Sequence, residues 1–179
     1  MIIMIKKVWT GDSGSTRLFN EETTKDSLRI DADGDVDELN SFIGLARARL
    51  EDGEIDKILG DVQKDLFVIG SDLAKAGAKG NKKAILAKEQ VMRIEETVYR
   101  IDGELDDLAK FILPSGTPAA SLLHVARAIC RRCERKVVRL KRDEIVNDEI
   151  PKYLNRLSSL LFSLARLINK REGVKEEEW

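Results

Sequence analysis

An all-α fold, a five-helix antiparallel up-and-down bundle with a non-helical N-terminal segment, is what this sequence predicts. Three observations carry that expectation. From Val36 to Ile168 apolar residues recur in alternating steps of three and four, the spacing of helices that bury one stripe. The breaks between the stripes are mostly short, and a short loop returns a helix antiparallel to its predecessor. No segment alternates apolar and polar residues in a way that competes as a strand.

The first stripe is Val36, Leu39, Ile43, Ala46 and Leu50. Asp35, Asp37 and Glu38 stand at its beginning, where carboxylates favour the positive end of the helix dipole, so their ordinary reading is capping. The second stripe holds Ile55, Leu59, Val62, Leu66, Ile69, Leu73 and Ala76, and stops at Gly77 in a glycine-bearing polar connection. Val91, Ile94, Val98, Ile101, Leu105 and Leu108 make the third. The segment Phe111 to Pro118 breaks the pattern, with Thr117 as N-cap and Pro118 as first helical residue of helix four. That helix carries Leu122, Ala126, Ile129, Cys133, Val137 and Leu140. After a connection at 143–150, Pro151 opens a fifth helix with Leu154, Leu157, Leu161, Leu164 and Ile168. One domain over 1–179 is expected, with an N-terminal segment at 1–34, the bundle at 35–171 and a charged, frayed tail at 172–179.

Composition narrows the function classes. Lys plus Arg number 31 against 32 Asp plus Glu, a balance that excludes a generally basic nucleic-acid binder and leaves local clustering as the source of any electrostatic role. The only cysteines, Cys130 and Cys133, cannot supply a four-ligand zinc site and are badly spaced for a disulfide, which suits free thiols in a reducing cytoplasm. His124 is the only histidine, so a His-rich metal site is excluded and no metal site is expected. The apolar start Met1 to Ile5 runs into Lys6 and Lys7, too short for a signal or membrane-spanning segment, so a cytosolic protein away from the membrane is expected.

Helix four holds the main anomaly. Positions 127, 131, 132, 135, 136, 139, 141 and 142 are basic, against the single acid Glu134. At about 100° per residue, His124, Arg127, Arg131, Glu134 and Arg135 fall within roughly 100° of arc opposite the apolar stripe. A solvated polar face explains this; so does an anion site, because guanidinium forks suit bidentate phosphate or carboxylate. The N-terminal run Thr10 to Thr16 offers a partner: Gly11 and Gly14 let backbone amides turn toward an anion, and the hydroxyls surround them. It lacks the Walker A order, so an ordinary polar turn is the alternative. Phe111 either plugs a bundle end or wedges against a ligand, and Asn155 beside core leucines either caps a backbone group or points into a site.

Taken in order, several segments resemble the successive signatures of the PduO-type ATP:cob(I)alamin adenosyltransferases. They are Thr10-Gly11-Asp12-Ser13-Gly14-Ser15-Thr16, Lys25, Gly34 to Gly44, Gln63-Lys64-Asp65-Leu66-Phe67 and Phe111-Ile112-Leu113-Pro114. Leu123-His124-Val125-Ala126-Arg127, Arg131-Arg132-Cys133-Glu134-Arg135 and Tyr153-Leu154-Asn155-Arg156-Leu157-Ser158 complete the set. The resemblance spans nearly the whole chain. Its departures are Asp33 for a common tyrosine, Ser115 for the first glycine of a Pro-Gly-Gly turn, Ser159 for an aspartate, and Lys7-Val8-Trp9 for Tyr-Thr-Lys.

The resemblance implies a homotrimer with active sites at subunit interfaces, each taking ATP and a cobalamin as substrates, with Mg²⁺ held through ATP phosphates. Thr10, Gly11, Gly14, Thr16 and Lys25, in a nucleotide-binding segment within 1–34, would wrap the triphosphate; Arg131, Arg132, Glu134, Arg135 and Asn155 would complete the ATP site. Asp37 and Arg127 would form an intersubunit ion pair beside the corrinoid, and Phe111 would occupy the lower axial face of cobalt. Asp37, Phe111, Arg127 and Arg131 are thereby the implied catalytic residues. The implied reaction moves the 5′-deoxyadenosyl group of ATP to cob(I)alamin and releases triphosphate. Reduced cobalt is the nucleophile, so protein groups position substrates and stabilise charge. An adenosylcobalamin-binding or delivery bundle without efficient turnover is the alternative. A reductase and a cobalamin-dependent enzyme are the protein partners such a chemistry suggests.

Overall fold

The computed structural model describes residues 11–18, 21–75 and 85–179. Two strands come first: β1 (Ser15–Leu18) and β2 (Glu21–Thr24) pair antiparallel with Thr16 opposite Thr23. Periodicity did not reveal them, because Arg17, Glu22 and Thr24 are exposed and the remaining strand residues only half-buried, so neither face is apolar. Five helices follow among the described residues: α1 (Leu28–Arg47), α2 (Gly53–Lys75), α3 (Lys88–Asp102), α4 (Pro118–Asp143) and α5 (Glu149–Arg171). The polar connection expected at Gly77 lies outside the described residues.

Helix α1 begins well before the boundary expected at residue 35. Ser27 caps it, its hydroxyl accepting from Ile30 N at 3.4 Å, and the buried Ala32 extends the stripe by one step of four before Val36. Asp35, Asp37 and Glu38 are therefore about two turns inside the helix, too deep to cap it. Asp35 instead accepts from Arg132 Nε at 3.1 Å and from Lys136 Nζ at 3.0 Å, crossing to α4. The N-cap of α4 is as the sequence predicts: Thr117 Oγ1 accepts from Ala120 N at 3.2 Å and Pro118 follows.

Helix α4 packs against both α1 and α5, α2 packs on α1, and α3 packs on α5. Cross-helix bonds fix the directions. Arg47 to Asp56 and Gln63 to Asn40 run α1 and α2 antiparallel; Arg29 with Glu144 and Arg132 with Asp35 do the same for α1 and α4. Glu95 with Arg156 and Asp102 with Ser163 advance together, so α3 and α5 are parallel neighbours, as alternating an odd number of helices permits. The core stripes meet in one cluster, and Leu154, Leu157, Leu161 and Leu164 of α5 are all fully buried in it. Truncating such a leucine to alanine costs about 2–5 kcal/mol. Polar groups inside are satisfied in specific pairs: Asp65 accepts from Tyr153 Oη at 2.9 Å, Gln90 Nε2 at 3.0 Å and Arg93 Nη2 at 2.5 Å.

The tail departs from expectation. Rather than fraying, it forms a β-bridge between Ile112 and Glu178, with Leu113 N donating to Glu177 O at 2.8 Å and Trp179 N to Phe111 O at 2.9 Å. Arg166 Nε donates to Glu176 at 3.1 Å and Lys110 Nζ to Glu178 at 2.8 Å, so the tail's acidic residues find cations on the body.

Candidate functional site

Tertiary packing sorts six of the eight basic residues of α4 into two sets. Arg132 and Lys136 turn toward α1: Arg132 bonds Asp35 and Glu38, and Lys136 bonds Asp31 and Asp35. Arg131, Arg135, Arg139 and Arg142 turn the other way and line an open groove of about 410 Å³ with Glu134 and Val138. Asn155 of α5 is exposed beside it and donates from Nδ2 to Glu134 Oε1 at 3.2 Å, which orients the groove's one carboxylate. Several guanidinium groups around a single acid suit an anion of high charge, such as a polyphosphate. Arg132, expected at the nucleotide, is in this chain committed to α1.

A second, larger cleft of about 890 Å³ opens between the 102–112 segment, α4 and α5. Phe111, Ile112, Leu108 and Phe162 give it apolar wall, while Arg127, Arg131, Arg166 and Lys110 give it positive charge against Asp102, Asp106 and Asp107. Arg131 lines both cavities and so stands on the wall they share. Phe111 is 78% exposed at the cleft mouth, its ring 6.4 Å from that of Trp179, so it plugs no bundle end. The ring of Phe162 takes Arg127 at 5.5 Å and Arg166 at 6.0 Å on its face.

His124 is not on the polar face where the helical wheel put it. Only 4% of it is exposed, 6.0 Å from the Phe162 ring, and neither ring nitrogen has a hydrogen-bond partner among the described residues. Burial first, and the Arg127 charge second, lower its pKa to about 4, so the ring is neutral at neutral pH. Burial and then Arg131 also lower the Arg127 guanidinium, whose Nε is buried without a partner. Asp37 is exposed on α1, and no ion pair joins it to Arg127 within the described chain.

Within the N-terminal turn, Thr10 lies outside the described residues. Gly14 has φ +83°, a conformation that glycine adopts freely; its N–H donates to Gly11 O at 3.2 Å and its carbonyl accepts from Lys25 N at 2.8 Å. A Cβ on Gly11 would lie 2.9 Å from Lys25 Cε and Nζ, so the ammonium rests directly on the glycine turn. Thr16 follows on β1. None of these hairpin residues lines the groove or the cleft of the same chain.

Thus the fold brings Arg131, Glu134, Arg135 and Asn155 together, brings Gly11, Gly14, Thr16 and Lys25 together elsewhere, and leaves Asp37 apart from Arg127. Sequence reasoning missed Phe162, Arg166 and Ser163 of the cleft wall. Arg166 was findable, as a lone cation between Leu164, Ala165, Leu167 and Ile168 in an otherwise apolar turn. Ser159, a departure from the resembled pattern, is exposed and also lines the cleft. Among the described residues no group of three or more His, Cys, Asp or Glu could hold a metal ion, and no helix is long and apolar enough to cross a membrane.

Comparison with known proteins adds to this geometry. The family profile described as cobalamin adenosyltransferase matches residues 7–168. A corrinoid adenosyltransferase of Bacillus subtilis (strain 168) is 43% identical over 174 residues, covering 95% of this chain and 89% of that protein. A cobalamin adenosyltransferase of Cupriavidus metallidurans is 41% identical over 172 residues, covering 95% and 91%. Among solved structures, a phenylalanine-to-alanine variant of the PduO-type ATP:corrinoid adenosyltransferase from Lactobacillus reuteri, complexed with cobalamin and ATP, superposes with a TM-score of 0.90. It is 34% identical and covers 95% of this chain and 96% of that one.

Proposed function

The chain belongs to the cobalamin adenosyltransferase family, and from that premise we propose that it transfers the 5′-deoxyadenosyl group of ATP to cob(I)alamin, forming adenosylcobalamin and releasing triphosphate. The observation that carries the reading is the position of Arg131, on the wall between a cationic groove and a partly apolar cleft. Such a wall is where the 5′ carbon of a nucleotide and a bulky second substrate would meet.

In this reading Arg131 and Arg135 bind the polyphosphate, with Glu134 and Asn155 fixing the nucleoside, and the Gly11–Gly14 turn with Thr16 and Lys25 neutralises the leaving triphosphate. Mg²⁺ arrives on the phosphate oxygens rather than on a protein cage. The corrinoid lies in the larger cleft, with Phe111 against its lower face. No protein nucleophile is needed; the residues orient two substrates, exclude water and stabilise charge on the leaving group.

The active unit is a homotrimer with its sites between subunits. Two observations support this: the hairpin cradle lines neither cavity of its own chain, and Asp37 and the buried, unbonded Arg127 Nε each lack an ion-pair partner among the described residues. A neighbouring subunit's hairpin and Asp37 would complete both. A cytoplasmic location belongs to the same proposal, supported by the two free, buried thiols.

The test is an anaerobic assay with ATP and chemically reduced cobalamin. Formation of the Co–C bond with stoichiometric triphosphate is expected; binding of both ligands without turnover would instead establish a delivery protein.

A further inference from the structure

Phe111 and its neighbours hang outside the bundle, exposed on a segment that no helix contains, so something must hold them at the cleft. Two connections define their place. Downstream, the chain passes through Ser115, Gly116 and Thr117 into α4; alongside, the tail residues Glu177 to Trp179 pair with Phe111 to Leu113. Both connections converge on Asn169, in the last turn of α5.

The Asn169 side chain is 1% exposed and both of its polar atoms are bonded. Its Oδ1 accepts from Thr117 N at 3.0 Å and its Nδ2 donates to Ser115 O at 3.1 Å. Gly116 lies between those contacts with φ +125°, and a Cβ there would fall 2.1 Å from Asn169 Oδ1, so the turn closes directly onto the amide. The Asn169 backbone carbonyl accepts from Val174 N at 2.8 Å across Gly173, whose φ of +69° reverses the chain into the tail. One residue therefore sets the turn after Phe111 and the start of the strand paired with it.

We propose that Asn169 is a positioning residue for the corrinoid step: it fixes both strands of the Phe111–Leu113 and Glu177–Trp179 pair and so holds Phe111 at the cleft mouth. This rests on the reading of Phe111 given above. Asn169 itself reaches neither cavity and touches no substrate. Its removal misplaces Phe111 while leaving the arginine groove intact.

The experiment uses the full chain with Asn169→Ala, and Val174→Pro as a second variant that removes the tail's N–H to the Asn169 carbonyl and also restrains Gly173 just before it, so that it perturbs only the start of the tail. Amide hydrogen exchange is read at Leu113, Thr117 and Trp179, with Leu157 and Ile129 as core controls. Asn169→Ala removes the side-chain bonds to Thr117 N and Ser115 O and keeps the backbone carbonyl used by Val174 N, so exchange speeds up at Thr117 directly and at Leu113 and Trp179 through the released Phe111 strand, and not at the controls; Val174→Pro affects Leu113 and Trp179 but spares Thr117. Adenosylation starting from cob(II)alamin falls by about ten- to 100-fold, the scale of small misplacements, while the KM for ATP stays within about twofold. The four-coordinate cob(II)alamin signal falls with it. Unchanged exchange in a folded Asn169→Ala overturns the proposal, and so does accelerated exchange with a normal corrinoid step when Phe111→Ala, assayed in parallel, is impaired. If Phe111→Ala is itself normal, the reading of Phe111 fails, and the exchange data alone decide whether Asn169 holds the two strands. Should Asn169→Ala not fold, Val174→Pro with normal exchange at Leu113 and Trp179 overturns the proposal.

Discussion

Arg132 Nε lies 3.1 Å from Asp35 Oδ2, and this bond from α4 to α1 separates Arg132 from its neighbour Arg131, which faces the two cavities. The Asp35 carboxylate is nearly buried and is shared with Lys136 at 3.0 Å. Adjacent arginines on one helix therefore have different consequences when removed. Arg132→Met is expected to lower unfolding stability by about 1 kcal/mol, the scale of a charge-assisted bond whose cation is partly exposed and whose acid keeps a second partner. Chemical denaturation measures it. A loss of ATP affinity with unchanged stability would return Arg132 to the nucleotide.

Replacing both Arg131 and Arg135 with Met should preserve the helical signal and severely weaken ATP use. Charge-assisted bonds to phosphate are worth roughly 1.5–3 kcal/mol each where water is displaced. Calorimetric titration with ATP and steady-state turnover check this together. If affinity and turnover are unchanged, the groove is only a solvated face.

Asp37 and Arg127 should behave as a pair across subunits. Asp37→Asn and Arg127→Met are each expected to lower activity and corrinoid affinity, with the double change costing less than the sum, because losing one partner already strands the other. A double-mutant cycle on folded variants that keep the oligomeric state of the unmutated protein reads the coupling. Strictly additive losses would falsify the contact.

Phe111→Ala should leave stability within about 0.5 kcal/mol, since the side chain is 78% exposed and supports no core. ATP affinity should stay near normal, while adenosylation slows when cob(II)alamin must first be reduced. Chemically generated cob(I)alamin should recover part of the rate by bypassing that step. Full activity and a full four-coordinate cobalt signal in the variant would remove Phe111 from the site.

His124 makes stability depend on pH in a definite direction. Its folded pKa of about 4 lies below the ordinary 6.5, so the unfolded chain binds this proton more readily. Stability is then undiminished above 6.5, falls as pH drops through the window from 6.5 to 4, and levels off below it, a loss of at most about 3–4 kcal/mol. His124→Leu should flatten that window. Urea denaturation of both proteins at several pH values isolates the difference from the carboxylates, which titrate in both; parallel curves would mean that His124 gains no protection from burial.

The helical stripes were legible because burying one side of a helix imposes a three-and-four spacing that needs no knowledge of neighbours: Leu39, Ile43, Leu154 and Leu161 are all at 0% exposure where that spacing put them. Thr117 and Pro118 were legible for a similarly local reason, a hydroxyl bonding an amide three residues on. The hairpin was not, since β1 and β2 bury neither face well. The tail was not either, because its order comes from Phe111 and Leu113, remote in sequence.

The sequence by itself determined the five amphipathic helices, the start of α4 and, through ordered motifs spanning the chain, the family to which it belongs, but not the start of α1 at Leu28 or the end of α3 at Asp102, short of Leu105 and Leu108; what it determined follows from residues close together along the chain. Tertiary structure alone decided which arginines of α4 hold α1 and which face the cavities, that His124 is buried, and that Asn169 ties the Phe111 segment to the tail. A helical wheel gives angles but not neighbours. Whether a polar group at a given angle meets an acid, an aromatic ring or water depends on which helix packs there, and here those partners come from α1, α5 and the tail, 50 or more residues away in several cases: Arg132 bonds Asp35 across 97 residues and Asn169 bonds Thr117 across 52.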